Sequence, residues 1–322
     1  LALLALLLAL QATAAGASGA TLRQRLDRAL TVQGVSRAAT GAIAIDLTNG
    51  RVVYGLHSSL ALEPASNQKL TVALAALDRL GADYRVPTDV FGYGSRAGFA
   101  WRGRLVLKGY GDPSLNRVDL AALAARIREM GIRRVGRVVG DESYFDSRRV
   151  VSGWKPSFLI EESPPLSALI VDRGKVGRYT SRNPALTAAT LFRDELRRAG
   201  VRVAGRVRVG RSEAADFPLA FVHSAQLGAI VREMGVESDN FAAEMLLKQL
   251  GAQESGQGTS ARGAATVMAV LKTAGVPVER PPLRETADAR RVVRRDVART
   301  RRERTDGERL CAVAHPGQPA LL

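Results

Sequence analysis

One run of helical spacing constrains this chain most. Leu70, Ala73, Leu74, Leu77 and Leu80 recur at three- and four-residue intervals, and Gly81 ends the run. The pattern predicts a helix that starts at about Ser66. Just upstream, Thr40–Leu47 and Arg51–Leu56 read as two strands around Asn49-Gly50, a strong hairpin signal. A short amphipathic helix is expected at Ala20–Leu30. A hairpin followed by a helix is the order expected if a sheet supports the residues at the helix start.

Those residues are Ser66 and Lys69. Three positions apart at a helix N-terminus, they share one face. Unpaired N–H groups and the positive end of the helix dipole point at the serine. A hydroxyl is a poor nucleophile until a base takes its proton, and a desolvated lysine can be that base. Ser-x-x-Lys also arises often by chance, as a capping serine before a surface lysine, so the pair needs support from elsewhere in the chain.

Support comes from Ser238-Asp239-Asn240. Apolar periodicity predicts a helix at about Ser224–Met234 and another at about Phe241–Leu250, with these three residues on the connection. Ser, Asp and Asn are also favoured N-caps, so the tripeptide alone is weak. After Ser-x-x-Lys, in this order and between two helices, it is much stronger.

Between the two motifs the texture changes. Val90–Tyr93, Arg102–Lys108, Val135–Gly140 and Val201–Val209 read as strands, with helices at Val118–Met130 and about Ala185–Ala199 and an apolar run at Leu166–Val171. Gly109–Pro113 is a turn cluster, and Gly153–Pro165 is loop-like. No fixed-period repeat is present.

Composition narrows the chemistry. A single cysteine, Cys311, excludes a disulfide framework and a multi-cysteine zinc site. His57, His223 and His315 lie far apart and make a poor metal set. The net charge is +16, carried mostly by arginine, with six lysines. The charge is scattered and not interleaved with aromatics, which argues against a single-strand nucleic-acid binder. It fits a basic protein that meets anionic envelope polymers. Leu1–Leu10 is continuously apolar and Ala12-Thr13-Ala14 offers a small-x-small cleavage site, so residues 1–14 read as a secretory leader. The mature chain is expected to work in the periplasm, outside the cell or in the envelope.

With these motifs in place the chain resembles the class C low-molecular-mass penicillin-binding proteins, the D-alanyl-D-alanine carboxypeptidase/endopeptidases. Pro64–Lys69, Gly111–Pro113, Gly140–Ser143, Gly153-Trp154, Pro165–Leu169 and Glu237–Glu244 carry the resemblance, which extends from about Thr21 to Val276. It implies an α/β (α+β) fold: a serine β-lactamase/DD-peptidase-like catalytic domain with antiparallel sheet and helices (15–83 and 219–276), interrupted by a β-rich inserted region (84–218). It implies that Ser66 is acylated, that Lys69 activates it, and that Ser238 shuttles a proton to the leaving group. Asn240 would orient the substrate amide, and Asp239 would cap or orient its loop. Asp141 would meet the free amino group of a diaminopimelate-type stem peptide, unless it is a strand-end acid making a turn bond. Peptidoglycan peptides are the implied substrates and β-lactams the implied covalent inhibitors. Neither a metal nor an organic cofactor is implied, and neither is nucleic acid.

The sequence departs from the family at one wall. Lys-Thr-Gly, expected downstream on a strand, does not occur, and Lys272-Thr273-Ala274-Gly275 sits in a run of helical spacing. Arg280–Arg309 holds eleven arginines and no lysine, isoleucine or aromatic residue, a composition that cannot bury enough apolar surface to order itself. The stretch 277–322 therefore reads either as a basic tail or, the reading favoured here, as the product of a frameshift near Val276–Pro282. Without the third motif, activity of this chain is in question. The rival readings are a β-lactamase or esterase of the same fold and a non-catalytic basic envelope protein. Resequencing the locus tests the frameshift: a Lys-Thr-Gly codon run in another frame is expected, and none in any frame overturns it.

Overall fold

The computed structural model describes residues 21–62, 64–151, 164–213 and 216–278. The leader, the Trp154 loop and the arginine-rich stretch from residue 279 lie outside them. Among the described residues no helix is long and apolar enough to cross a membrane. The chain divides into two compact units at residue 63.

The first unit holds α1 (Leu22–Ala29) and the hairpin β1 (Ala42–Ile45) with β2 (Val52–Leu56). Thr21 starts α1 with a capping box, its hydroxyl accepting from the Gln24 N–H while the Gln24 side chain accepts from the Thr21 N–H. The buried Tyr54 of β2 donates its hydroxyl to Asp27 of α1 at 2.7 Å, tying helix to hairpin. Arg37 also pairs with Asp27.

The second unit contains a helical cluster and a mixed sheet. In the cluster, α2 (Gln68–Leu80) packs with α5 (Leu227–Glu237), α6 (Asn240–Ser255) and α7 (Ser260–Thr273). The predicted helix is present, but it begins at Gln68 after a 3-10 turn at Ala65–Asn67. The leucines whose spacing reveals it are not its buried stripe: Leu70 is 65% exposed, Leu74 43% and Leu77 37%. Gln68, Lys69, Val72, Ala75 and Ala76 are buried instead. Small alanines let the backbone of α2 come close to α6 and α7, as tight helix packing requires. The same phase turns Lys69 inward. Lys272 and Thr273 end α7, so the Lys-Thr-Ala-Gly stretch is a helix terminus and not a strand.

The sheet runs in the order β10-β3-β4-β5-β8, with β9 also on β5. Its strands are β3 (Pro87–Ala97), β4 (Ala100–Gly109), β5 (Arg134–Asp141), β8 (Arg202–Val203), β9 (Arg208–Val209) and β10 (Phe217–His223). A two-stranded ribbon, β6 (Lys175–Val176) with β7 (Tyr179–Thr180), stands apart from it. The β10–β3–β4 ladder is antiparallel, whereas β5 runs parallel to β4, β8 and β9. A parallel step needs a crossover, and α3 (Arg117–Glu129) supplies it between β4 and β5, as α4 (Pro184–Arg198) does between β5 and β8. The strand expected over Val201–Val209 is two short bridges, β8 and β9. Leu105, Leu107, Val135 and Val138 of the sheet pack with Leu120, Leu123, Ile127, Ala189 and Phe192 of the two helices. Leu166–Val171 is buried without regular structure, and Leu166, Ala168 and Ile170 pack against Phe145 and the start of α6.

Buried Asp112 follows β4 in the Gly-Asp-Pro turn and accepts from the Ser114 N–H and hydroxyl at 2.7 and 2.6 Å. Desolvation outweighs these bonds and pushes its pKa up to about 6 from 3.8. The native state then holds a proton that the unfolded state has lost, so stability falls as pH rises from about 4 to 6, by about 3 kcal/mol. Asp112→Asn keeps the acceptor and removes the titration. Its stability relative to the parent is expected to rise by up to about 3 kcal/mol between pH 4 and 7 in denaturant melts. A difference that does not change with pH would refute the assignment.

Candidate active site

Three side chains from two distant segments meet. Ser66 lies in the 3-10 turn that leads into α2, after Ala65, whose φ is +46°. Lys69, the second residue of α2, is 4% exposed. Its Nζ donates to Ser66 Oγ at 3.0 Å and to Ser238 Oγ at 3.3 Å. The turn into α2 sets the first contact locally. The second spans 169 residues and depends on how α5 and α6 meet α2.

Ser238 terminates α5 in the left-handed region, at φ 52° and ψ 42°. Glycine usually fills such a position, since a β-carbon there costs on the order of 1 kcal/mol or more. Non-glycine strain of this kind persists where surrounding structure over-determines it. Here Asp239 does so. Its N–H bonds back to the Met234 carbonyl at 3.0 Å, and its carboxylate caps α6 by accepting from the Ala242 N–H at 3.1 Å. The other carboxylate oxygen takes the guanidinium of Arg173, which also lies 5.5 Å above the Phe241 ring. Arg173 itself sits in a turn where it and Asp172 have φ of 54° and 50°. Asp239 thus orients the loop, and the Arg173 turn braces it. Nothing in the sequence pairs Arg173 with Asp239, 66 residues away, beyond the turn-like Asp172-Arg173-Gly174.

Asn240 opens α6 beside Ser238 and is half-buried. Asp141, in contrast, ends β5 with no exposed surface. Its oxygens accept from the Ser143 N–H at 2.8 Å and the Ser212 N–H at 2.7 Å, with Lys108 Nζ 3.9 Å away. Burial alone would raise its pKa, but the Ser212 and Ser143 donors outweigh it and hold the carboxyl below the usual range. Asp141 thus makes a turn bond to Ser143 at the end of β5 and a second bond to Ser212.

The helix behind the site carries further polar groups that the sequence did not flag. Lys248, 1% exposed, pairs with Asp146, and fully buried Glu244 accepts from the Ser260 hydroxyl. Desolvation raises the pKa of Glu244. These contacts fasten the stretch after β5 and the start of α7 to α6.

A buried amine between two hydroxyls, one of them at a helix start, is the equipment of serine acyl transfer with lysine as base. The chain belongs to the D-Ala-D-Ala carboxypeptidase 3 (S13) family, whose pattern it matches over residues 22–180 and 176–287. It is 29% identical to the D-alanyl-D-alanine carboxypeptidase of Actinomadura sp. (strain R39) over 82% of this chain and 64% of the relative. Penicillin binding protein 4 from Haemophilus influenzae superposes with a TM-score of 0.66 at 21% identity, covering 73% of this chain and 67% of that one. The same protein solved with a β-lactam gives 0.58 at 20% identity, over 72% and 66%. The chain spans between 53% and 64% of the length of the first curated relatives it matches.

If Arg173 braces the site loop, removing it strands a buried carboxylate. Arg173→Ala is expected to lower the unfolding free energy by about 1–3 kcal/mol. In an Asp239→Asn background the same change should cost less. Denaturant melts of the four chains measure the coupling, and an equal cost in both backgrounds would show that there is none.

Proposed function

We propose that this chain carries the acylation site of a serine-type D-Ala-D-Ala carboxypeptidase/endopeptidase that acts on peptidoglycan stem peptides in the cell envelope. Ser66 is the nucleophile. The observation that carries this reading is the single buried Lys69 Nζ in hydrogen-bond reach of two hydroxyls from separate motifs. In its neutral form Lys69 accepts the Ser66 proton as Oγ attacks the carbonyl carbon of the scissile bond. The proton passes through Ser238 Oγ to the leaving amine, and water later hydrolyses the ester. The Ser66 N–H offers a donor to the oxyanion, and Asn240 is placed in sequence to hold the substrate amide. We read the stretch 84–218 as an insertion between the two halves of the catalytic domain.

The substrate class rests on the family and on relatives named for D-alanyl-D-alanine carboxypeptidase activity. The expectation that β-lactams bind here follows the Haemophilus protein solved in complex with one. Lys-Thr-Gly, which would add a cation for the substrate carboxylate and a second oxyanion donor, is absent from this sequence. Loss of one such donor costs on the order of a hundredfold or more in rate.

Labelling with a fluorescent penicillin tests the reading. Saturable label is expected on the parent and none on Ser66→Ala. Lys69→Ala should reduce the labelling rate by at least about a hundredfold, as loss of a general base does. Label that survives Ser66→Ala excludes Ser66. A folded parent that takes no label supports a binding-only protein.

A further inference from the structure

At one end of the sheet the β3–β4 hairpin turns over Gly98-Phe99. Ala97 and Ala100 are the last paired residues, so the loop between them is two residues long. Gly98, at φ +57°, supplies the backbone that such a loop needs at its first position. The second position carries a phenylalanine that is 66% exposed. Its main chain is pinned. The Phe99 carbonyl accepts the Arg133 N–H at 2.7 Å and the Arg134 N–H at 3.2 Å, and the Gly98 carbonyl accepts from Arg96 Nε at 3.1 Å. The tip is therefore held out in a fixed shape, with little ordering left to lose when it meets a partner.

A rim of cations surrounds the ring. The Arg133 guanidinium lies 5.2 Å over Phe99. Arg134 starts β5 beside Ala100, and Arg202 of β8 pairs with Arg134. Arg96 and Arg102 flank the tip on β3 and β4, and Arg128 lies beside Gly200. The three segments that form this end, 95–102, 128–134 and 200–202, hold six arginines and one acid, Glu129. Among the described residues none of these arginines makes an ion pair. Arg134 and Arg202 are like charges at directly paired positions, an arrangement that costs a free sheet stability.

The rim and the tip together select one kind of partner. A soluble polyanion satisfies arginines but offers nothing to an apolar ring at the apex. A bilayer with anionic lipid satisfies both. Phosphate head groups meet the guanidinium forks, and the ring enters the apolar layer just beneath them. Arginine stems can lie along that layer while their charges stay at head-group level.

We propose that the β3–β4 tip docks on a bilayer surface rich in anionic phospholipid, with Phe99 in the interface and the arginine rim on the head groups. The full chain carrying Phe99→Trp is titrated with mixed phosphatidylglycerol/phosphatidylcholine vesicles and with phosphatidylcholine alone. Read as a difference from the parent, which has Trp101 and Trp154, the added indole reports on the tip. The apolar Leu1–Leu10 run is common to all the chains and so does not decide the comparison. A blue shift and quenching by brominated lipid are expected on the anionic vesicles and not on the neutral ones. Adding Arg133→Gln/Arg134→Gln should raise the lipid concentration at half-response by about tenfold or more and flatten its salt dependence. Arg232→Gln/Arg262→Gln, exposed elsewhere on the same unit, should change it by less than about twofold. Phe217→Trp, at a position 61% exposed on β10, should not respond. Silence at position 99, an equal response on neutral vesicles or from Phe217→Trp, or equal weakening by both arginine pairs would overturn the proposal. Linear polyphosphate that binds through Arg133 and Arg134 while the tip stays silent on vesicles would also overturn it and assign the rim to a soluble polyanion. Penicillin labelling at Ser66 should be the same in all these chains, which keeps this test separate from that of the catalytic reading.

Discussion

Lys69 is the constraint on which the second unit turns. An ammonium taken out of water is costly unless hydrogen bonds replace its hydration. Here the side chain is 4% exposed, and two hydroxyls lie within bonding distance. One comes from its own turn, the other from the α5–α6 connection, so these two bonds form together only when α2, α5 and α6 are packed. The apolar cluster of Val72, Ala76, Ile230, Met234 and Leu246 provides that packing. The same arrangement that makes the buried amine tolerable brings the Ser66 and Ser238 hydroxyls to it from two separate motifs.

α6 is the element that transmits this constraint outward. Twelve of its sixteen residues are buried, from Phe241 through Ala252. A helix buried on every side cannot follow a simple amphipathic pattern, and its polar members need partners. Lys248 finds Asp146, Glu244 finds Ser260, and Gln249 finds the Tyr84 hydroxyl at 2.7 Å. Buried pairs of this kind rarely add much net stability, because desolvation offsets the attraction. What they supply is register: each ties a different neighbouring segment to one turn of α6. Phe241, at the head of the helix, packs with Phe145 and Ile170, so the same helix that carries Asn240 also anchors the chain beyond β5.

Much of the helical framework was legible in the sequence, because three- and four-residue spacing survives any tertiary context. The helices that carry Lys69, Asn240 and Lys272 can be read this way, and the hairpin is read from its Asn49-Gly50 turn. The motifs at Ser66 and Ser238 were visible because their chemistry needs particular residue types in a fixed order. The buried face of α2 was not legible. Leucine spacing marks a helix, but the phase was set by Lys69 and by two alanines that only matter once α6 and α7 are beside them. Arg173 and Lys248 were equally hidden, since an ion pair across 66 or 102 residues leaves no local signal. Val201–Val209 was read as one strand from its alternating valines, but it pairs in strand register with β5 only at Arg202–Val203 and Arg208–Val209, with Ala204-Gly205 between them.

The strain at Ser238 joins these threads. A serine in the left-handed region is held there by three contacts on its C-terminal side: the Asp239 cap, the Arg173 brace and the stacking of Arg173 on Phe241. Glycine would adopt that backbone at lower cost but would carry no hydroxyl for Lys69. The position therefore trades local stability for a side chain at the site, and the trade is stable only because α6 is capped and buried. Arg173 comes from the segment between the two motifs, a stretch otherwise occupied by the sheet. That stretch is thus not a passive spacer in the chain: through one guanidinium it helps fix the backbone that delivers the second hydroxyl to Lys69.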